Sequence, residues 1–338
     1  MKKYLFFISV ILISCQEEIT LDLPQAEKKL VVEGAIESGF PPYVMLTKNQ
    51  GYFDPADSLS YFNSFVNNAN SVKVWYYNEL GEEEIKILEK APFPFDNLPL
   101  YTDLSYDFSG NYPYEFSKEG RTYYLEIKWN NQVITSSTTI PQATPLDCLW
   151  VEKSETADKD FKYDIRAIYS DPADQQNNLL IQSKRLQHYE LVDSLECEFK
   201  DNPDQTLILV DAGSDLLING ETFETYFPRP KNNGFPNGKY NAKHTIVCNN
   251  DSTFELQEDI VLIKFSQIDE PSVKFWRGLI RQVGTNGNPF AEPMNLVSNI
   301  NNGLGVFTGY GSVYYKVPII KDIVIKNQVD SLSVLDIF

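Results

Sequence analysis

Four cysteines and two histidines are the residues best suited to chemistry in this chain of 338 residues, and their surroundings differ. Cys15 closes the run Leu12-Ile13-Ser14-Cys15, behind Lys2-Lys3 and the apolar stretch Tyr4 to Ile13. A positive start, a short apolar segment and a small residue before the cut make a secretory signal. The tetrapeptide resembles a bacterial lipobox, in which the cysteine thiol is acylated and becomes the new N-terminus. A helix needs roughly twenty apolar residues to cross a bilayer, about twice what this stretch offers. The signal therefore reads as cleaved, with acyl chains on Cys15 holding the mature chain at the membrane, since each buried CH₂ contributes about 0.8 kcal/mol.

The other three thiols belong to an oxidising compartment. Three single pairings are open to them. Cys197 and Cys248 are the expected pair, and closing that loop of ~50 residues would add roughly 4 kcal/mol. Cys148, inside the apolar stretch Leu146 to Trp150, reads as a buried free thiol. His188 and His244 lie in strand-like stretches. Neither belongs to a His-Glu-x-x-His zinc helix, and the chain has no Gly-x-Ser-x-Gly elbow or phosphate-binding glycine loop, so no catalytic residue is assigned. Paired carboxylates keep glycoside hydrolysis open as a third reading, because their separation in space decides that chemistry. Asp171 to Asp174, Asp201 to Asp204 and Asp211 to Asp215 place carboxylates in turns. None has the twelve-residue spacing of a calcium loop, so they read as Asp side chains bonding local backbone. No metal or cofactor is expected.

The formal charge is −18, and loss of residues 1–14 with Lys2 and Lys3 leaves 27 basic against 47 acidic groups, or −20. Affinity for nucleic acid comes from Lys and Arg displacing counterions, so nucleic acid is excluded as a partner. A basic patch for anionic lipid is excluded on the same ground. Aromatic residues are abundant, with Tyr 20, Phe 21 and Trp 4. Several fall where strand alternation is missing: Tyr52-Phe53, Tyr61-Phe62 with Phe65, Phe93-Pro94-Phe95 and Tyr112-Pro113-Tyr114. Such residues either anchor a protein or sugar from exposed loops or fold back into the core. Tyr52, Phe53, Phe93, Phe95, Tyr112 and Tyr114 are the candidate contact surface on the first alternative.

The elements that must carry these residues are strands. Leu30 to Glu37, Tyr43 to Thr47, Val72 to Tyr76, Glu84 to Leu88, Tyr123 to Ile127 and Val133 to Thr139 alternate or run apolar between turn signals. Asn130-Asn131 tolerates the positive φ of a tight hairpin. Ile140 to Pro145, with two prolines, marks a joint. Beyond it, strands are expected at 161–169, 178–191, 206–210 and 260–265. One helix near 271–283 is expected to pack by its Trp276 face, since Val273, Trp276, Leu279, Ile280 and Val283 fall three or four apart. Gly303, Gly305 and Gly309 with the asparagines before them predict a tight loop over Asn299 to Gly311.

Three stretches together resemble a known family. They are Cys15-Gln16-Glu17-Glu18-Ile19 leading to Leu30-Val31-Val32-Glu33-Gly34; Thr122 to Ile127 through Thr138-Thr139-Ile140-Pro141; and Asn288-Pro289-Phe290 with Ser298 to Phe307. The chain is similar from Cys15 to about Tyr315 to Bacteroidota outer-membrane lipoproteins that share a domain of unknown function, family 4249. The resemblance implies a gene commonly beside a TonB-dependent receptor with a carboxypeptidase-like extension, and an accessory role at the cell surface. Gln16, Glu17 and Glu18 resemble the export signal that sends such lipoproteins to the outer leaflet. The family pattern has a small polar residue where this chain has Cys148, and it supplies no established catalytic residues.

The expected protein is mainly β. A signal peptide (1–14) and lipidated tether (15–29) precede an immunoglobulin-like β-sandwich (30–141), then a second β-sandwich-like domain (142–338) with the one short helix. The expected function is non-enzymatic: a lipid-anchored outer-membrane protein facing the cell exterior, partner of a TonB-dependent receptor in nutrient uptake, its ligand unspecified. A structural or adhesion module of the envelope is the alternative.

Overall fold

The computed structural model describes residues 27–51, 57–92, 95–106, 113–153, 163–173, 175–191, 207–214, 219–227, 238–240, 245–248, 252–284, 295–318 and 324–325. The first half contributes β1 (Leu30–Glu37), β2 (Tyr43–Lys48), α1 (Ser58–Asn63), β3 (Ser71–Tyr77), β4 (Glu83–Lys90), β5 (Leu100–Thr102), β6 (Thr122–Trp129) and β7 (Gln132–Thr139). The second contributes β8 (Cys148–Lys153), β9 (Tyr163–Ser170), β10 (Asn178–Leu191), β11 (Ile208–Ser214), β12 (Thr222–Phe227), β13 (Gly238–Tyr240) and β14 (Thr245–Cys248). It ends with β15 (Ser252–Ile268), α2 (Glu270–Gly284), β16 (Leu304–Pro318) and β17 (Val324–Ile325). The fold is mainly β.

One sheet runs through both halves in the order β11-β10-β15-β16-β1-β2-β5-β4-β3-β6-β7, with β13 and β14 attached to β15. A four-stranded sheet, β12-β9-β8-β17, lies apart from it. Neighbouring strands are antiparallel except β1 and β16, which run parallel from Val31 opposite Leu304 to Glu37 opposite Tyr310. Hydrogen bonding thus continues from one half to the other past the joint at Ile140 to Pro145.

Side chains alternate along a strand, so each central strand has two faces with different duties. On the back face, Leu30, Val32 and Ile36 of β1, Val44 and Leu46 of β2 and Tyr101 of β5 meet Val72, Val74, Leu88, Leu125, Ile127 and Ile134 from β3, β4, β6 and β7. These form a two-layer core, and β4 links the layers by pairing with β3 up to Leu88 and with β5 at Glu89 and Lys90. A second back-face core joins Val261, Ile263 and Phe265 of β15 and Val313, Tyr315 and Val317 of β16 to Leu149, Val151, Ile165, Ala167 and Phe227 of the four-stranded sheet. Each such side chain contributes about 1.5–3 kcal/mol when fully buried. On the front face, Ala35, Leu180, Ile268, Val306 and Tyr310 pack under Val273 and Trp276 of α2.

The loop expected over Asn299 to Gly311 is corrected, because Leu304 onward is strand β16. The glycines answer a crowding problem rather than a turn. A Cβ at Gly309 would stand 2.4 Å from the Thr139 carbonyl oxygen, and one at Gly311 would stand 2.1 Å from that of Pro141. The joint therefore crosses directly over β16 between the two back-face cores. Gly305 adopts φ +104 where a Cβ would meet the Val32 carbonyl oxygen at 1.9 Å. Asn130 (φ 48) and Asn131 (φ 61) make the hairpin turn their residue types predict.

Asp269 fixes α2. Its carboxylate accepts from the Ser272 N–H at 3.1 Å as a helix cap and from the Thr138 hydroxyl at 2.7 Å. That hydroxyl in turn accepts the Gly309 N–H at 2.8 Å. Val273 and Trp276 are buried as their spacing predicts, whereas Val283 is exposed. The short helix α1 was not foreseen from periodicity, and no residue of it is buried. No helix among the described residues is long and apolar enough to cross a membrane.

Candidate functional site

The front face of the central sheet, the lower side of α2 and the 95–98 turn enclose a cavity of about 390 Å³, within the size range of small-molecule sites. β1 supplies Glu33, Ala35 and Glu37, the alternate residues whose neighbours Val32 and Ile36 fill the back-face core. β2 supplies Tyr43 and Met45, β5 Leu100, β10 Gln182, β15 Lys264, β16 Tyr310 and α2 Trp276, with Phe40, Pro41 and Leu207 completing the wall. The Trp276 indole is oriented by donating to Thr308 Oγ1 at 3.2 Å. Phe95 and Leu98 form the rim. Their turn is held by the Phe95 N–H donating to the Pro92 carbonyl, the Leu98 N–H to the Phe95 carbonyl and Lys90 Nζ to the Asp96 carbonyl.

Polar groups on this floor are paired unevenly. Lys264 Nζ lies 2.6 Å from Glu37 Oε2, with side chains 6% and 10% exposed. The other Glu37 oxygen accepts the Tyr314 hydroxyl at 2.5 Å. Lys264 also stands 4.3 Å from the Tyr310 ring centroid, close enough for a cation–π contribution. Burial pushes the Tyr43, Tyr310 and Tyr314 hydroxyls up, and the nearby Glu37 carboxylate adds to it, so all three stay neutral. Glu33 is exposed to the cavity, and partial desolvation by the surrounding walls raises its pKa. Gln182 Oε1 is shut off from solvent without a hydrogen-bond donor. Among the described lining residues no nucleophile is paired with a base.

A different surface lies at α1. Asp57 caps the helix by accepting the Ser60 N–H at 2.7 Å. Leu59, Tyr61 and Phe62 are 69%, 58% and 59% exposed. The Tyr61, Phe62 and Phe65 rings stand edge to face with centroids 4.9–5.6 Å apart. The first described residues run beside this helix: Asn49 accepts the Lys29 N–H and donates to the Glu27 carbonyl, while Gln50 donates to the Ser60 carbonyl.

The sequence-predicted residues separate. Phe95 lines the cavity. Tyr114 is corrected from a surface position to an interior one: it is buried, its hydroxyl bonds Asp103, and its ring meets Phe116. Asp103 also takes Lys86 at 2.8 Å. Burial pushes the Asp103 carboxyl up, but Lys86, Tyr114 and Ser105 together overcome it and bring its pKa to about 2. Tyr61 and Phe62 take the exposed alternative. Cys148 is a free thiol, half-buried on β8. Asp171 bonds Tyr169, Asn177 and the Gly220 N–H, a turn held by its carboxylate. Among the described residues no group of three His, Cys, Asp or Glu could hold a metal ion. Cys15, Gln16, Glu17, Glu18, Tyr52, Phe53, Phe93, Tyr112, Cys197 and His244 lie outside the described residues, as does the side chain of Cys248 at the end of β14.

Sequence reasoning missed the cavity as a unit. Its one local trace is Glu33-x-x-x-Glu37, two acids on the same strand face as Ala35. The sequence pattern of a family described as "Domain of unknown function (DUF4249)" matches residues 16–315. No curated protein matches the chain.

Proposed function

The chain belongs to the DUF4249 family, and on that premise we propose that it is a lipid-anchored outer-membrane protein, facing the cell exterior, that binds rather than catalyses and serves a TonB-dependent receptor as an accessory in nutrient uptake. The observation that carries this reading is the exposed aromatic face of α1 beside the point where the chain runs back toward Cys15. Leu59, Tyr61 and Phe62 stabilise no core in the protein. Large aromatic side chains held rigid and exposed are the residue types that dominate protein interfaces. Eleven residues separate Cys15 from Glu27, so even fully stretched they reach only about 40 Å. A face at the base of such a tether stays within range of a β-barrel embedded in the same membrane.

The test is co-purification from detergent-solubilised outer membranes. Wild type is expected to bring down a β-barrel receptor, and the Tyr61→Ser/Phe62→Ser double variant is expected to lose it with an unchanged melting temperature. Recovery of the wild type without any β-barrel would count against the reading. A deletion strain with altered adhesion and unchanged uptake would assign the structural role instead.

A further inference from the structure

The cavity on the front face has a chemistry independent of whether α1 docks on a receptor. The charge of Lys264 is already matched: Glu37 holds its ammonium at 2.6 Å and the Tyr310 ring stands 4.3 Å away. Glu37 is equally committed, one oxygen to Lys264 and the other to Tyr314. An anionic ligand would meet no free cation among the lining residues, and the Glu33 carboxylate would repel it.

What the lining leaves open is one carboxylate, that of Glu33. Glu33 is exposed to the cavity and has no ion pair or side-chain hydrogen bond among the described residues, whereas Gln182 Oε1, which also lacks a donor, is sealed off from it. The walls around Glu33 are aromatic and apolar: Trp276, Phe40, Phe95, Tyr43 and Met45. An uncompensated carboxylate inside an aromatic wall favours a cation carried on an apolar body, because ring faces and carboxylate attract the same charge.

We propose that this cavity binds an organic cation, an ammonium or guanidinium group whose N–H donors meet Glu33 while its apolar body lies against Trp276 and Phe95. A free amine and the side chain of a partner's lysine or arginine present the same chemistry. Isothermal titration of the purified protein separates these sources and tests the charge. Four probes suffice: phenethylamine, its neutral isostere phenethyl alcohol, phenylpropionate, and a capped Gly-Lys-Gly peptide set against capped Gly-Gly-Gly.

Phenethylamine or the lysine peptide is expected to bind at least tenfold more tightly than its neutral counterpart, and phenylpropionate is expected not to bind. Binding of the amine alone identifies a free-amine site, and binding of the peptide alone identifies a side-chain receptor. Glu33→Gln, which keeps the shape, is expected to lower the affinity of the cationic probe at least tenfold with an unchanged melting temperature. Equal binding of amine and alcohol, tighter binding of the carboxylate, no binding of either cation, or full affinity in Glu33→Gln would overturn the proposal. The receptor pull-down does not involve the cavity, so either result stands without the other.

Discussion

Within the eight residues of β1, Leu30, Val32 and Ile36 point to the back and are sealed in a core, whereas Glu33, Ala35 and Glu37 point to the front and line a cavity. β16 repeats the division with Phe307 behind and Tyr310 and Tyr314 in front. A strand alternates its side chains whatever they are, so one backbone serves two solvents. The back is held mainly by dispersion and water exclusion, and the polar groups it buries are bonded within it, as Gln267 is to the Tyr169 hydroxyl. The front pairs Lys264 with Glu37 and leaves the Glu33 carboxylate open beside them.

Substitutions on the two faces should differ in kind as well as in size. Phe307→Ala, at the back of β16, is expected to destabilise by about 3–5 kcal/mol through the cavity it leaves, read from urea unfolding. A loss below 1 kcal/mol would mean the two layers close up and the core is softer than its burial implies. At the front, Glu37→Ala strands the Lys264 ammonium and is expected to cost about 3 kcal/mol. The double variant Glu37→Leu/Lys264→Met should restore most of that, since removing both charges also removes their desolvation. A double variant as unstable as the single one would show that packing, and not charge pairing, governs the front face.

Asp103 supplies a buried acid away from the cavity, and its pairing gives the comparison a pH axis. Its folded pKa of about 2 lies below the ordinary value of 3.8. The resulting stability, about 2 kcal/mol at most, is therefore present above pH 4 and is lost as pH falls through about 2. Unfolding of wild type and Asp103→Asn across pH 2–6 should show the wild type losing this share and the variant lacking it. Parallel pH curves for the two proteins would refute the assignment. The smallest effect belongs to neither face: Tyr61→Ser and Phe62→Ser on α1 should each change stability by less than about 0.5 kcal/mol. A larger loss by thermal melting would mean α1 is part of the fold.

The back face was largely legible in the sequence. Strand patterns between turn signals mark β1 and β10 at the bounds the structure has, 30–37 and 178–191, period-two alternation marks β3, and three-to-four spacing marks α2. β16 was not, because glycines carry no side-chain period. The reason for those glycines, the carbonyls of Thr139 and Pro141 passing overhead, lies some 170 residues away along the chain. The cavity escaped for a related reason, since its lining is drawn from positions between 33 and 310 and converges only when β1 pairs with β16. Tyr61 and Tyr114 show the same limit in a single residue type. Both sit in aromatic, non-alternating segments, yet one stays in water while the other finds Asp103, a partner that local pattern does not reveal.

The parallel pairing of β1 with β16 also governs when the protein can become itself. A chain synthesised N-terminus first presents Val31 long before Leu304 is made, and until then one edge of β1 is an unpaired template for any neighbouring strand. Native contacts so distant in sequence make folding slow and expose intermediates to aggregation. The central sheet closes only after nearly the whole chain has been made, so the growing polypeptide is open to its neighbours until then, and truncation before residue 304 should leave β1 a sticky edge rather than a smaller stable domain.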